Sequence, residues 1–191
     1  MKKSYTANLY LALVHYPVVN KNGKIIASAV TNLDLHDISR AAKTYGVRAF
    51  YVVTPLADQK ELVEKIVAHW LEGTGGTYNP KRKEALKLIV IKNTLAEVID
   101  DIRENTGDAP KTIVTSANQN SRNISFKRFR EMLQDGASYL LILGTGWGLS
   151  ESFIAEADYV LDPVSGNTGY NHLSVRSAAA VMLDRLLGKM D

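Results

Sequence analysis

The stretch Gly169–Gly188, GYNHLSVRSAAAVMLDRLLG, begins as a polar turn and becomes a helix. Its first turns are thin: Ser174, Ser177, Ala178, Ala179 and Ala180 stand beside Asn171, His172 and Arg176. Side chains that short let other atoms lie close to the helix backbone. Either another helix packs tightly there or a ligand does. Val175, Ala179, Met182 and Leu186 form an apolar stripe at helical spacing, while Ser174, Ser177 and Ala178 lie to its side. Such a stripe packs against another helix, in the same chain or across a dimer.

Upstream, apolar runs alternate with amphipathic helices. Strands are expected at 10–16, 47–55, 86–92, 111–117, 139–145 and 159–164. Helices are expected at 34–45 with Asp34 as its cap, and at 56–71 with Leu62, Ile66 and Trp70 on one face. Further helices are expected at 94–105, 125–134 and 149–157. NKNG, residues 20–23, is a turn signal, and EGTGGTYNPKRK, 72–83, reads as a loop. Six strands with helices between them predict an α/β fold with a mostly parallel sheet. Ligands of such sheets sit at the carboxyl ends of the strands. Here those ends are VVTP, VTSAN, LGTGWG and LDPVSGNTGYN.

The 191 residues, 46% of them hydrophobic, suit one domain spanning 1–191 that buries roughly 70% of its unfolded surface. No Pro/Gly/Ser linker, repeat or low-complexity tract divides the chain. Cysteine is absent, which excludes disulfides and thiolate chemistry. The opening MKKSYTANLYLALVHYP has a short apolar run interrupted by Asn8 and His15 and no small-residue cleavage site. It reads as a first buried strand rather than an export signal. No segment approaches the ~20 apolar residues of a membrane span, and a cytoplasmic protein is expected. The net charge of +3 is compatible with a nucleic-acid partner without requiring one.

LGTGWGLS, 143–150, follows a strand and precedes a helix. Its glycines would let a ligand approach the backbone. It is not the dinucleotide fingerprint and it follows the fifth strand, so a dinucleotide-dependent oxidoreductase is disfavoured. LDPVSGNTGYN offers Gly166, Asn167 and Gly169, whose backbone groups suit a polar planar ligand such as adenine. A P-loop and a G-x-S-x-G elbow are both missing, which weakens NTPase and hydrolase readings. The four histidines are scattered, and no metal site is expected. Lys81, Arg82 and Lys83, with Arg122, Lys127, Arg128 and Arg130, form basic clusters beside Tyr78 and Phe126. They suit an RNA-tracking surface, or simply solvated helix faces.

Three stretches then carry a resemblance. GYNHLSVRSAAAVMLDRLL resembles the last motif of the SPOUT methyltransferases, in which an Asn/Ser-Leu-x-Val segment leads into an Ala-rich helix. LILGTGWGLS resembles their middle motif, and TNLDLHDISRAAKTYGVRAFYVV their first. They cover about a quarter of the chain in the family's order. The resemblance is strongest to small stand-alone bacterial members, some of which are fused to a tRNA guanine-N1 methyltransferase. It implies a C-terminal trefoil knot, a homodimer, S-adenosylmethionine as cofactor (with S-adenosylhomocysteine as product) and RNA as acceptor. It places Thr115, Ser116, Gly144, Thr145, Gly146, Leu161, Pro163, Tyr170, Asn171, His172, Leu173 and Ser177 around the cofactor. Arg40 would serve the acceptor by positioning or charge stabilisation, and Asp34 would orient Arg40 or act as the base. Lys81, Arg82, Lys83 and Arg122 would hold RNA. Asp34 stands where the family usually has Asn, with Asn32 nearby, so ribose and base acceptors both stay open. The alternative is a non-catalytic nucleotide- or RNA-binding module on the same fold.

Overall fold

A computed structural model describes residues 7–119 and 121–189; the first six residues of the export-signal-like opening lie outside them. The strands of the main sheet are β1 (Leu9–Val14), β4 (Phe50–Val53), β5 (Ile89–Lys92), β6 (Lys111–Thr115), β7 (Asn123–Ile124), β8 (Tyr139–Gly144) and β9 (Tyr159–Leu161). β2 (Val18–Val19) and β3 (Ile25–Ile26) form a separate antiparallel hairpin. The helices are α1 (Asn32–Tyr45), α2 (Ala57–Leu71), α3 (Thr74–Tyr78), α4 (Pro80–Leu86), α5 (Leu95–Thr106), α6 (Phe126–Met132), α7 (Glu151–Glu156) and α8 (Val175–Leu187).

The main sheet runs β5-β4-β1-β8-β6-β9-β7, and every neighbouring pair is parallel. Each of the six expected strands is present. Those at the centre are buried on both faces: Leu9 to Val14 and Tyr139 to Leu143 are nearly sealed from solvent. That explains their unbroken apolar runs, since helices cover both sides of a parallel sheet. β1 lies beside β8 with Leu9 opposite Tyr139 and Val14 opposite Gly144. The two strands end together, and the Gly-rich loop after β8 starts level with the end of β1.

Several expectations are corrected. Asp34 is not the helix cap. Thr31 caps α1, its hydroxyl accepting from the Asp34 N–H at 3.1 Å and donating to the Asp34 carboxylate at 2.6 Å. Asp34 is the third residue of that first turn, and its carboxylate accepts from the cap's hydroxyl. The expected loop 72–83 contains α3 and the start of α4. Its glycines lower helix propensity, but packing requires them: a Cβ on Gly76 would lie 2.2 Å from the Trp70 carbonyl oxygen. Pro80 opens α4, and Asn79 caps it by accepting from the Arg82 N–H at 3.0 Å. On α2 the fully buried residue is Val63, whereas Leu62 is exposed; Ile66 and Trp70 are half-buried.

The apolar stripe of α8 is not a dimer seam. Ala179, Met182 and Leu186 pack into the chain's own core with Leu35, Ile38 and Ala42 of α1. The helix is amphipathic because it covers the sheet, and its short residues let α1 approach. The hairpin and β7 were not expected as strands, each being only two residues long. The NKNG turn does close the hairpin: Gly23, at φ 74°, donates to the Asn20 carbonyl at 2.9 Å.

Candidate active site

A cleft of about 1170 Å³ opens at the carboxyl ends of β1, β6 and β8. Three loops distant in sequence form it: 143–150 after β8, 115–118 after β6, and 171–174 before α8. The β2–β3 hairpin and the start of α1 complete the wall with Val19, Ile25, Ser28, Thr31 and Asp34. The hairpin is fastened to the glycine loop. Trp147 N–H donates to the Val19 carbonyl at 3.1 Å, and Val19 N–H to that of Gly148 at 2.9 Å.

Local chemistry shapes each wall. Gly146 and Gly148 have φ of 62° and 101°, a backbone that side chains resist. A Cβ on Gly144 would fall 2.8 Å from the Leu149 nitrogen, so the loop folds back over a position that must stay bare. Asn171 donates to the Ala117 carbonyl at 3.0 Å, tying two of the three loops together. Ser174 caps α8, accepting from the Ser177 N–H at 3.3 Å. Beyond that cap Ala178 and Met182 face the cleft. The thin opening of the last helix is thus shared: Ala178 borders the cleft, Ala179 meets the core, and Ser177 and Ala180 are exposed.

Of the expected cofactor residues, Thr115, Ser116, Gly144, Thr145, Gly146, Asn171, His172 and Leu173 line the cleft together. Leu161, Pro163, Tyr170 and Ser177 are not on its wall. Leu161 and Pro163 are buried, Tyr170 is 73% exposed with its ring edge-on to His172, and Ser177 hydrogen-bonds Ser174.

Asp34 faces the cleft, but it does not hold Arg40. Its carboxylate lies 3.5 Å from the Arg176 guanidinium, which also reaches Asp37 at 3.5 Å. Arg40 is 3.9 Å from Asp37 and lines a second groove on the far side of α1. The expectation that Asp34 orients Arg40 is therefore replaced: Asp37 is the carboxylate that Arg40 and Arg176 share. Arg176, which sequence reasoning gave no role, pairs with both carboxylates. Its place in a conspicuous stretch marked it, but only the packing of α8 on α1 brings it to two carboxylates.

Two further groups beneath the cleft were also missed. His15, wholly buried, has its Nδ1 3.1 Å from the Ser28 hydroxyl, which contacts the Thr145 hydroxyl in turn. Thr145 donates to the Val14 carbonyl at 2.9 Å. Burial, opposed in part by the Asp34 charge, pushes His15 down to about 4, so the imidazole is neutral.

The basic residues divide. Arg122 turns inward and donates to the carbonyls of Ile154, Ala155 and Ala157 at the end of α7, at 2.7 to 3.4 Å. Arg82 lies over the Trp70 ring at 4.8 Å in the second groove. Lys81 is exposed, and Lys83 is half-buried with its chain 2.8 Å from where a Gly76 Cβ would stand. Among the described residues no three His, Cys, Asp or Glu side chains gather as metal ligands, and no helix is long and apolar enough to cross a membrane.

A family model described as SAM-dependent RNA methyltransferase matches residues 8–188. The chain belongs to that family. It is 37% identical over 183 residues to an uncharacterized protein of Aquifex aeolicus, covering 95% of this chain and 89% of the other. It is 45% identical over 181 residues to a tRNA (guanine-N(1)-)-methyltransferase of Oleidesulfovibrio alaskensis, covering 95% of this chain but 42% of that protein. The chain thus spans less than half of that relative. The fold matches that of the SpoU methyltransferase AviRb from Streptomyces viridochromogenes, solved in complex with AdoMet, with a TM-score of 0.57 at 18% identity; 95% of this chain and 60% of AviRb are covered.

The cleft is large enough for S-adenosylmethionine, the cofactor named in the family's description. Its volume exceeds what a ligand of that size displaces. Bare glycine backbone and the hydroxyls of Thr115 and Ser116 can meet polar atoms, and Leu149, Val164, Leu173 and Met182 offer apolar surface to a purine. Asp34 and Glu151 bring negative charge to the cleft wall; the buried Oδ1 of Asp34 accepts no hydrogen bond and faces the Arg176 guanidinium at 3.5 Å.

Proposed function

We propose that this chain holds S-adenosylmethionine among the 115–118, 143–150 and 171–174 loops and transfers its methyl group to a nucleotide of RNA. The convergence of those three loops on one glycine-walled cleft beside Asp34 carries the reading. When bound, the cofactor supplies an activated methyl with its own leaving group. The protein's part is alignment and charge. Arg176 and the Thr31 hydroxyl hold the Asp34 carboxylate at the cleft wall, where it accepts the acceptor's proton. Arg40, across α1, meets the RNA strand and fixes its approach. tRNA is the acceptor class to test first, because the Oleidesulfovibrio relative is named for it.

The chain is read as one domain acting in the cytoplasm. The topology supports a threaded C-terminus: β9 lies between β6 and β7, whose own connection is 116–122, and Asn171 bonds back to Ala117 of that connection. With the α8 stripe buried, the exposed apolar side chain of Leu33, in the first turn of α1, is the proposed centre of a homodimer seam.

Tritiated-methyl incorporation into total RNA from a cell lacking the protein tests the function. Arg40→Ala should reduce transfer roughly a hundredfold, the scale of losing one charge-stabilising donor, with S-adenosylmethionine affinity unchanged by calorimetry. Arg40→Lys should rescue poorly, because a point charge lacks the planar fork. Cofactor binding without transfer to any such RNA would leave a non-catalytic binding module.

A further inference from the structure

The second groove, about 700 Å³ between α1, α2 and α4, is lined by His36, Arg40, Lys65, Trp70 and Arg82 among others. We propose that it seats a backbone phosphate of the RNA strand, with Arg82 as principal ligand and His36 beside it. The inference rests on RNA as the acceptor and adds where the strand is gripped.

Arg82 is held for such a task. Its guanidinium lies 4.8 Å from the centre of the Trp70 ring, and its Nε is buried with no hydrogen-bond partner. No carboxylate ion-pairs with it among the described residues, whereas Lys65 is paired with Glu61 at 2.6 Å. Asp37, at the same groove, is shared between Arg40 and Arg176. His36 stands edge-on to Trp70 with its ring centre 5.3 Å away, and its buried Nδ1 also lacks a partner. The cluster is thus short of one anion.

The charges around His36 act on its protonation as well. Burial first, then the charge of Arg82, hold His36 below its usual range; Asp37 opposes this and Arg40 adds to it. His69, the remaining titratable group on this wall, packs against the same Trp70. An anion between Arg82 and His36 would offset those cations and favour the imidazolium.

The occupant is a phosphate rather than a base. With Arg82 over its ring, Trp70 positions a guanidinium instead of offering that face for stacking. A guanidinium fork matches phosphate geometry. The site is also placed for the reaction. Asp34 faces the cleft and Arg40 the groove, six residues or about 9 Å along one helix, and Arg176 bridges Asp34 to Asp37. A strand anchored in the groove therefore lies across α1 from the cleft.

The test follows the His36 imidazole by NMR in the full, unsubstituted chain. It is titrated with pH alone, with an unmodified single-stranded RNA oligonucleotide, and with inorganic phosphate at equal phosphate concentration. RNA should raise the His36 titration midpoint measurably, and phosphate should do so much less. Arg82→Gln should weaken RNA binding several-fold and reduce the slope of log K against log salt by about one contact. Arg82→Lys should recover only part, and both variants should keep S-adenosylmethionine affinity. A His36 midpoint unmoved by saturating RNA, or an unchanged salt slope in Arg82→Gln, overturns the proposal. An equal response to inorganic phosphate overturns the RNA-strand assignment and leaves a free-anion site. If RNA moves His36 while no RNA is ever methylated, the groove stands and the methyl-transfer reading falls.

Discussion

His15 carries no charge in the folded protein, and that has a measurable cost in acid. The unfolded chain protonates this imidazole near pH 6.5, the folded chain only near 4. The unfolded state therefore binds more protons in between, so stability is full above 6.5 and is lost as pH falls from 6.5 toward 4. The loss from this one group should be on the order of 3 kcal/mol. Urea midpoints across that window should fall more steeply for the wild type than for His15→Gln; parallel curves would remove His15 from the account. Gly146 sets a second limit. A side chain there meets the Val19 carbonyl at 3.3 Å and takes a φ of 62°. Gly146→Val should therefore cost S-adenosylmethionine at least tenfold in affinity, read by calorimetry on protein whose circular dichroism is unchanged. These residues were unequally legible. Thr145, Gly146 and Asn171 stood in small, polar loops at strand ends, where chemistry announces itself. His15 and Ser28 did not, because an isolated histidine or serine acquires meaning only from what folds against it.

α8 shows why a helical stripe does not name its partner. Periodicity identifies which residues are buried, but an intramolecular core and a dimer seam produce the same spacing. Met182 and Leu186 are almost wholly buried against the chain's own core. Met182→Asp or Leu186→Asp should accordingly collapse the fold, since a lone buried charge is expensive. The expected reading is loss of the cooperative unfolding transition; a folded monomer would restore the dimer assignment. Leu33→Asp, on an exposed side chain, should instead leave the fold intact and convert a dimer into a monomer by light scattering. The same limit hid α3 and α4. Their Gly, Asn and Pro content signals loop, and only the approach of Trp70 shows why bare residues were needed in a helix.

The strand order joins distant parts of the chain. β1 lies at the centre, bonded to β4 on one side and to β8, about 130 residues later, on the other. The alternation of strands and helices made a parallel sheet legible from sequence. The order of the strands was not, because no local signal pairs Leu9 with Tyr139. Such non-local pairing makes closure slow. Refolding followed by stopped-flow fluorescence of Trp147 and Trp70 should extend to seconds or longer, and completion within a millisecond would contradict a β1–β8 centre.

The splice between the β2–β3 hairpin and the 143–150 loop makes the cleft a clasp. One jaw belongs to the chain's beginning, the other to its last third, and both meet any bound molecule. Ligand at a hundred times Kd would add about 2.7 kcal/mol to the folded form over the unfolded one, shared by both jaws. Deuterium uptake at Val19 and Trp147 would slow together on loading, so a probe on either jaw would report the state of the other.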